Sequence, residues 1–229
     1  MKKIFELLFV LVFISSPVFS QNMWMSMDIS FGGQFPNYQN LDNELSKLEF
    51  NKTPAALTGA GMWVEFGNNK LLFEMGGMFS SSSTNKIFEN EDTELNVSGS
   101  SGTFSVGYKF DLYNGFFFYP KIGVTGGSYN FLLSSKTDIS SNFLTVIDSV
   151  RTQQSITNYY NELIIGGIFL FPFGDVSHFG LDFMFGLPPF KDKWYYNDKL
   201  LSNTPKSNPA LFSLNLRLIF YLTKRGVNR

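Results

Sequence analysis

The chain has 229 residues, enough for one domain, and only 16% of them are charged, well below the share of about 25% usual in soluble domains. Its formal charge of −1 gives no basic surface for nucleic acid, and the lack of cysteine excludes disulfides and cysteine-based metal sites. Aromatic residues make up 17% of the chain although mean hydropathy is −0.01, so apolar residues must alternate with polar ones. We expect neither a cofactor nor a metal.

Residues 1–20 are predicted to be a cleaved signal peptide. A positively charged start precedes an unbroken apolar run over 7–14, and small residues at Val18 and Ser20 lead to an expected cut between Ser20 and Gln21. The alternative is a membrane anchor, but a spanning helix needs about 20 apolar residues, more than this run supplies. The remaining chain divides into a barrel over 21–222 and a short periplasmic tail over 223–229.

Period-two alternation, the signature of a half-buried strand, begins at residues 23–31. Met23, Met25, Met27, Ile29 and Phe31 fall on one face, and Trp24, Ser26, Asp28 and Ser30 on the other. Seven further stretches repeat the pattern, near 59–66, 71–79, 103–110, 116–125, 160–171, 179–186 and 212–220. Each run covers about 10 to 15 residues, closer to the 9–11 of a tilted membrane-crossing strand than to the usual 5–6.

The predicted connections alternate between long and short without exception. The long ones are 34–55, 81–97, 132–157 and 188–208, and the short ones are 68–69, 112–115 and 173–177. This rhythm is typical of outer-membrane barrels, which have long extracellular loops and short periplasmic turns. We therefore predict an all-β fold, an eight-stranded antiparallel up-and-down transmembrane β-barrel whose last strand pairs with its first. Leu41, Leu45 and Leu48 have the spacing of one helix face and predict a short helix at the barrel mouth.

Alternation alone fits a soluble carrier barrel, with its apolar face inside, as well as a membrane barrel, with its apolar face in lipid. Two features favour lipid. The apolar face consists almost entirely of large side chains, too many for an eight-stranded lumen to hold, and the opposite face is rich in Gly, Ser and Thr. Aromatic residues near the strand ends, including Trp24, Trp63 and Trp194, are expected at the two membrane interfaces.

The last predicted strand, residues 211–222, reads LFSLNLRLIFYL. With the signal peptide and the loop rhythm, it resembles the small eight-stranded outer-membrane barrels of the OmpA and OmpX type and the outer-membrane β-barrel domain proteins of Bacteroidetes. The resemblance implies a place in outer-membrane lipid and insertion by the barrel assembly machinery, and it carries no catalytic residues. The chain departs from the family in continuing over 223–229, where the usual form ends on Phe or Trp.

The inward faces carry enough charge to predict an ion-pair network in the lumen. Its members are Arg217, Asp28, Asp182, Lys121, Glu74 and Glu162, drawn from a larger inward set that adds Glu65, Lys109 and Asp111. Counted from the strand ends, Arg217 is expected to reach Asp182, Asp28 or both, and Lys121 to reach Glu74 or Glu162. The network either plugs the barrel or gates a pore, and the plug is favoured because an eight-strand interior is normally filled by side chains.

His178 is the only histidine and follows Ser177, but adjacent strand residues point to opposite faces, so we predict no catalytic site and no enzyme. The expected function is a structural or loop-presenting barrel that meets an envelope protein partner through its long loops. The alternatives are a narrow pore for ions or small solutes, an accessory barrel of a secretion or gliding apparatus and, less favoured, a lipid A-modifying enzyme.

Overall fold

A computed structural model describes residues 23–47, 53–68, 70–88, 91–113, 115–137, 153–173, 177–187, 193–196, 199–201 and 212–222. The expected signal peptide, its cleavage site and the tail over 223–229 lie outside these ranges. Eight strands form one closed barrel: β1 (Trp24–Phe35), β2 (Leu57–Gly67), β3 (Leu71–Phe88), β4 (Glu91–Tyr108), β6 (Phe116–Thr137), β7 (Gln153–Pro172), β8 (Ser177–Leu187) and β11 (Phe212–Tyr221). The predicted fold is confirmed.

Four short elements complete the described chain. β5 (Phe110–Tyr113) continues β4 along the edge of β6 after a break at Lys109, and α1 (Gln39–Lys47) lies between β1 and β2. β9 (Lys193–Tyr196) and β10 (Lys199–Leu200) form a hairpin outside the barrel, where β9 pairs with β7. No helix among the described residues is long and apolar enough to cross a membrane.

Every neighbouring pair of barrel strands is antiparallel, and β11 closes the ring by pairing with β1, Arg217 lying opposite Ser30. Following hydrogen-bonded partners once around the ring from Tyr119 on β6 leads back to β6 at Tyr129, ten residues further along. This stagger is the shear of the barrel, which sets the strand tilt at about 35–45°. Residues at one height on neighbouring strands are therefore not direct hydrogen-bonding partners.

The two faces of the strands separate as predicted. On β11, inward Ser213, Asn215, Arg217 and Ile219 are buried, and outward Leu214, Leu216, Leu218 and Phe220 are exposed. Outward apolar residues form a continuous band that covers nine residues on each of five strands, at 71–79, 116–124, 163–171, 179–187 and 212–220. With about 3.3 Å per residue and the tilt above, the band is about 23 Å tall, close to the roughly 25 Å of outer-membrane barrels.

The strands rise to unequal heights above this band. We call the end where β1 begins and β11 ends the lower end of the barrel, and the opposite end the upper end. β3, β4, β6 and β7 continue well past the band toward the upper end, whereas β1, β2, β8 and β11 stop near its rim. One half of the barrel wall is therefore taller than the other.

The prediction of a polar loop over 81–97 is wrong. β3 runs to Phe88 and β4 begins at Glu91, and their register is unbroken from Leu71↔Tyr108 to Phe88↔Glu91. The segment forms strand because inward Leu95 and Val97 are buried in a cluster at the upper end, while the outward serines meet water rather than lipid. The strands were predicted from the alternation of apolar residues facing lipid with polar residues facing the lumen, and this alternation is absent at that height.

Two other expectations can be placed. The helix at the mouth is confirmed, and Leu41 packs against the cluster of buried apolar residues at the upper end. Leu48 lies outside the described residues. The expected interfacial position is wrong for Trp24, Trp63 and Trp194, because each is only 2% exposed. All three point into the interior, where they pack against other side chains.

Candidate functional site: the charged layer of the lumen

Six ionisable side chains meet inside the barrel in what we call the charged layer: Asp28, Glu65, Glu74, Lys121, Asp182 and Arg217. They come from six strands, and in each strand they occupy the inward face. The side chains of all six are fully buried. Ionic groups so far from water need partners, and each finds them within the layer.

Arg217 is the centre of the layer. Its Nη1 lies 3.4 Å from Asp28 Oδ2, 3.4 Å from Glu65 Oε1 and 3.1 Å from Glu74 Oε2. Its Nη2 donates to Asp182 and lies 3.4 Å from Glu74 Oε1. A planar guanidinium with several donors suits such a set of carboxylates, and from β11 it reaches as far as β3. Arg217 thus ties together strands that share no hydrogen-bonded edge.

Lys121 joins the opposite wall to the same two acids. Its Nζ lies 2.5 Å from Glu74 Oε1 and 2.7 Å from Asp182 Oδ1. Glu74 and Asp182 therefore each contact both cations, and the four side chains form a closed ring across the lumen. Removing any one of them leaves a buried charge without its full complement of partners.

Asp28 and Glu65 are held differently. Ser26 Oγ lies 2.9 Å from Glu65 Oε2 and 3.4 Å from Asp28 Oδ1, so one hydroxyl links the two carboxylates. A hydroxyl carries a single proton to donate and serves one of them at a time. Their contacts with Arg217, at 3.4 Å each, are also longer than the nearest contact of Glu74.

The layer has more acids than bases. It contains four carboxylates and two cations, which gives a formal charge of −2 when all six groups are ionised. An isolated charge is costly in a dry interior. We therefore assign the surplus negative charge to Asp28 and Glu65, the carboxylates with the weakest cation contacts.

Three further layers fill the rest of the lumen. Below the charged layer, a floor consists of Trp24, Leu72, Tyr119, Ile168, Leu170 and Ile219. Above it lie Trp63, Ile164 and Met184 with a set of hydroxyl groups, around a cavity of about 10 Å³, about the least that holds one water molecule. At the top, an aromatic cap consists of Tyr38, Leu57, Leu95, Val97, Tyr129, Phe131, Tyr160 and Trp194.

The aromatic cap is built partly from elements outside the barrel wall. Tyr38 precedes α1 and makes edge contacts with Tyr129 and Phe131, at 5.5 and 5.2 Å between ring centroids. Trp194 of β9 stacks on Phe131 at 5.5 Å. The helix and the hairpin thereby close the upper mouth, which the unequal strand heights would otherwise leave open on one side.

Of the residues predicted to form the network, the structure brings together Arg217, Asp28, Asp182, Lys121 and Glu74. Glu162 is buried but lies opposite Thr125, four residues above Lys121 on β6, and so belongs to the space above the charged layer. Glu65 belongs to the predicted inward set but not to the predicted network, whereas in the structure it lies 3.4 Å from Arg217. Its pairing with Glu74 on the next strand requires the register of β2 and β3, which their short turn would have supplied.

The lower rim holds the other polar residues singled out in the sequence. Lys109 Nζ lies 2.6 Å from Asp111 Oδ1, but the Asp111 side chain is 73% exposed, so Asp111 is not a lumen residue. Ser177 Oγ donates to the carbonyl of Phe173, and the His178 ring packs against Phe117 and Tyr221. Neither side chain approaches the other as a nucleophile approaches its base.

No protein-family model and no curated protein matches the chain. Among solved structures, the chain is similar to Ail, the attachment invasion locus protein of Yersinia pestis, in complex with the heparin analogue sucrose octasulfate, at 10% identity and a TM-score of 0.43, covering 87% of this chain and 96% of that one. It is also similar to Neisserial surface protein A, at 9% identity and a TM-score of 0.36, covering 87% and 97%. A second Ail structure gives 15% identity and 0.34, covering 87% and 96%.

Proposed function

We propose that this chain is an integral outer-membrane protein with a closed lumen, which acts as a rigid platform for its extracellular elements. The apolar band supports the membrane location, because its height suits a bilayer and no described residue that faces outward within it is charged. In a closed barrel every backbone group within the band finds a partner, as a bilayer requires. As part of this proposal, the chain is related to the OmpA- and OmpX-type barrels and to the outer-membrane barrels of Bacteroidetes.

The observation that carries the closed-lumen function is the succession of floor, charged layer and aromatic cap. Arg217 is fully buried, and so is each partner that surrounds it. A solute would have to displace a buried ring of ion pairs and an apolar layer on either side. This favours a structural or binding role over a narrow pore, with an envelope partner meeting the tall strands, α1 and the hairpin.

Electrophysiology on the refolded protein tests this function. Purified protein inserted into planar bilayers is expected to give no steady conductance over a wide voltage range, with a known general porin as positive control. The variant Trp63→Ala combined with Arg217→Ser opens only the charged layer and keeps the floor and the aromatic cap, so it is expected to stay silent as well. Steady channels from the unmodified chain would instead establish the narrow pore.

Cell fractionation tests the location. The protein is expected in the outer-membrane fraction, released by detergent and retained after high-salt washing, since its contact with lipid is apolar. Release by osmotic shock would contradict the membrane location and favour the soluble carrier barrel.

A further inference from the structure

A groove of about 470 Å³ opens on the outer wall where β2, β3, β4 and β6 leave the apolar band. It is lined by Thr58, Gly59, Phe79, Ser80, Ser81, Ser98, Gly99, Ser100, Ser128 and Asn130. The groove lies outside the lumen and shares no residue with the charged layer. It could not be predicted from the sequence, because its residues come from four strands and from a segment expected to be a loop.

The groove is concave because side chains are missing along its lower border. Gly77, Gly102 and Gly126 are direct neighbours on β3, β4 and β6, and all three occupy outward positions. A Cβ added at Gly102 would have no atom within 4 Å, so the space beside this residue is open. The wall is therefore recessed at the height where lipid gives way to the aqueous side.

The chemistry of the lining is that of hydroxyl recognition. Thr58, Ser81, Ser98, Ser100 and Ser128 contribute hydroxyl groups and Asn130 contributes an amide. Hydroxyl and amide groups both donate and accept hydrogen bonds, which matches the equally ambivalent hydroxyls of a sugar. The lining contains no charged side chain, so it offers nothing to neutralise a phosphate.

One aromatic ring completes the groove. Phe79 is 75% exposed and stands at its lower edge, next to the hydroxyls of Ser81 and Ser100. A ring that is apolar and flat suits the C–H face of a sugar, whose hydroxyls would then turn toward the serines. Such an amphipathic arrangement of one ring beneath several hydroxyls fits a saccharide better than a fully polar solute.

The height of the groove identifies the source of the saccharide. Phe79 is the last residue of the apolar band on β3 and Ser81 is the first outward residue beyond it. The groove therefore faces sideways into the zone where lipid headgroups lie. We propose that it binds the saccharide headgroup of a glycolipid in the surrounding leaflet. This inference rests on the proposed outer-membrane location and goes beyond the closed-lumen function.

Binding can be measured with the refolded full chain in nanodiscs. The discs consist of phosphatidylcholine with a graded share of lipopolysaccharide. They are dissolved in mild detergent, the barrel is purified, and the lipopolysaccharide that stays bound to it is quantified per barrel. The variant Ser100→Leu/Ser128→Leu removes two hydroxyls whose oxygens lie 3.3 Å apart and fills the groove. The expected result is an affinity reduced about tenfold, the effect of one or two lost hydrogen bonds.

The matched control is Ser83→Leu/Asn96→Leu, which adds the same apolar groups to two directly paired outward positions of β3 and β4 above the groove. It is expected to bind lipopolysaccharide as the unmodified chain does. Equal losses in both double variants would overturn the proposal, as would unchanged binding in the groove variant. Heat-modifiable gel mobility of each variant establishes that the barrel is folded before binding is compared.

Two further arms separate the sources of failure. The isolated core oligosaccharide, without acyl chains, is expected to compete; competition by phosphatidylglycerol instead would assign a phosphate headgroup and overturn the saccharide. A change from dimer to monomer in the groove variant would assign a second copy of the chain and also overturn it. If the protein is found in the outer-membrane fraction but retains no lipopolysaccharide, the groove proposal alone is refuted. If the protein is absent from the outer membrane, the location on which the groove proposal and the proposed function both rest is refuted.

Discussion

The guanidinium group of Arg217 lies over the indole of Trp63, with its central carbon 4.1 Å from the ring centroid. Trp63 is itself fixed, because its Nε1 donates to Ser30 Oγ at 3.0 Å. The same ring lies 5.9 Å from Lys121 Nζ. An aromatic face therefore supports both cations of the charged layer from above, and the carboxylates surround them.

This stacking predicts an energetic coupling between the two residues. A double-mutant cycle with Trp63→Leu and Arg217→Met is expected to give a coupling free energy of about 2 kcal/mol, as for other desolvated cation–ring pairs. The free energy of unfolding would be taken from urea titrations of the refolded barrel in micelles, followed by gel mobility. Losses that simply add would mean that the ring only fills space.

Loss of the central cation should be among the most harmful changes to stability. Arg217→Gln leaves four buried carboxylates with Lys121 alone and is expected to lower the free energy of unfolding by about 3–5 kcal/mol. Lys109→Gln is the matched control, since its partner Asp111 is 73% exposed, and it should cost less than about 1 kcal/mol. Similar losses from both variants would contradict the description of a dry charged layer.

The acid surplus predicts that one buried carboxylate is dispensable. Glu65→Gln keeps the hydrogen bond from Ser26 and brings the layer closer to neutrality, so the barrel is expected to be as stable as the unmodified chain or more so. Glu74→Gln should instead cost roughly 3 kcal/mol, because Glu74 contacts both Lys121 and Arg217. Urea midpoints of the two variants in the same micelles check the order, and the reverse order would refute the assignment of the surplus.

The apolar band predicts a sharp height dependence for charge on a single strand. Phe104 and Ser98 both face outward on β4, the first within the band and the second above it. Phe104→Arg is expected to destabilise the inserted barrel by about 2–4 kcal/mol and Ser98→Arg by almost nothing. Refolding into lipid vesicles at graded urea measures both. If the serine position were the more sensitive, the band would be at the wrong height.

The aromatic cap predicts controlled access to the upper lumen. Because the chain has no cysteine, Asn158→Cys introduces a single thiol at a fully buried position opposite Trp194 on β9. A polar maleimide is expected to label it slowly in the folded barrel and much faster when Trp194→Ala is added. Ser98→Cys, on the exposed outer wall, should label at one rate in both backgrounds. Fast labelling of Asn158→Cys alone would mean that the cap is open.

The strands and their faces could be predicted because the band and the lumen impose a strict period of two. That pressure ends above the band, where Ser81 and Ser98 face water on the outside. The sequence there resembled a loop although β3 and β4 continue through it. The aromatic cap stabilises these strands from within. On β4 it is represented only by Leu95 and Val97, and two apolar residues are too few to predict a strand.

The site was predictable only in part, for a geometrical reason. Counting from strand ends placed Arg217, Asp182 and Asp28 at similar heights, since their strands are neighbours. The contact between Arg217 and Glu74 crosses the lumen from β11 to β3. It depends on the inner diameter of the barrel and on its shear of ten residues, and the sequence of a single strand determines neither. Glu162 lies above Lys121 because the register of β6 with β7 places it opposite Thr125, and counting along β7 alone does not give that register.

The unequal strand heights give the molecule a direction within the plane of the membrane. On the side of β1, β2, β8 and β11 the strands of the wall end near the rim of the lipid, whereas on the side of β4 and β6 they stand well above it. A neighbour that drifts laterally through the bilayer therefore meets a low flank or a tall flank according to its bearing. In any assembly that includes this barrel, the rotation of the barrel about the membrane normal therefore decides whether a partner contacts the low side or the tall side. In a barrel with strands of equal height this rotation would make no such difference.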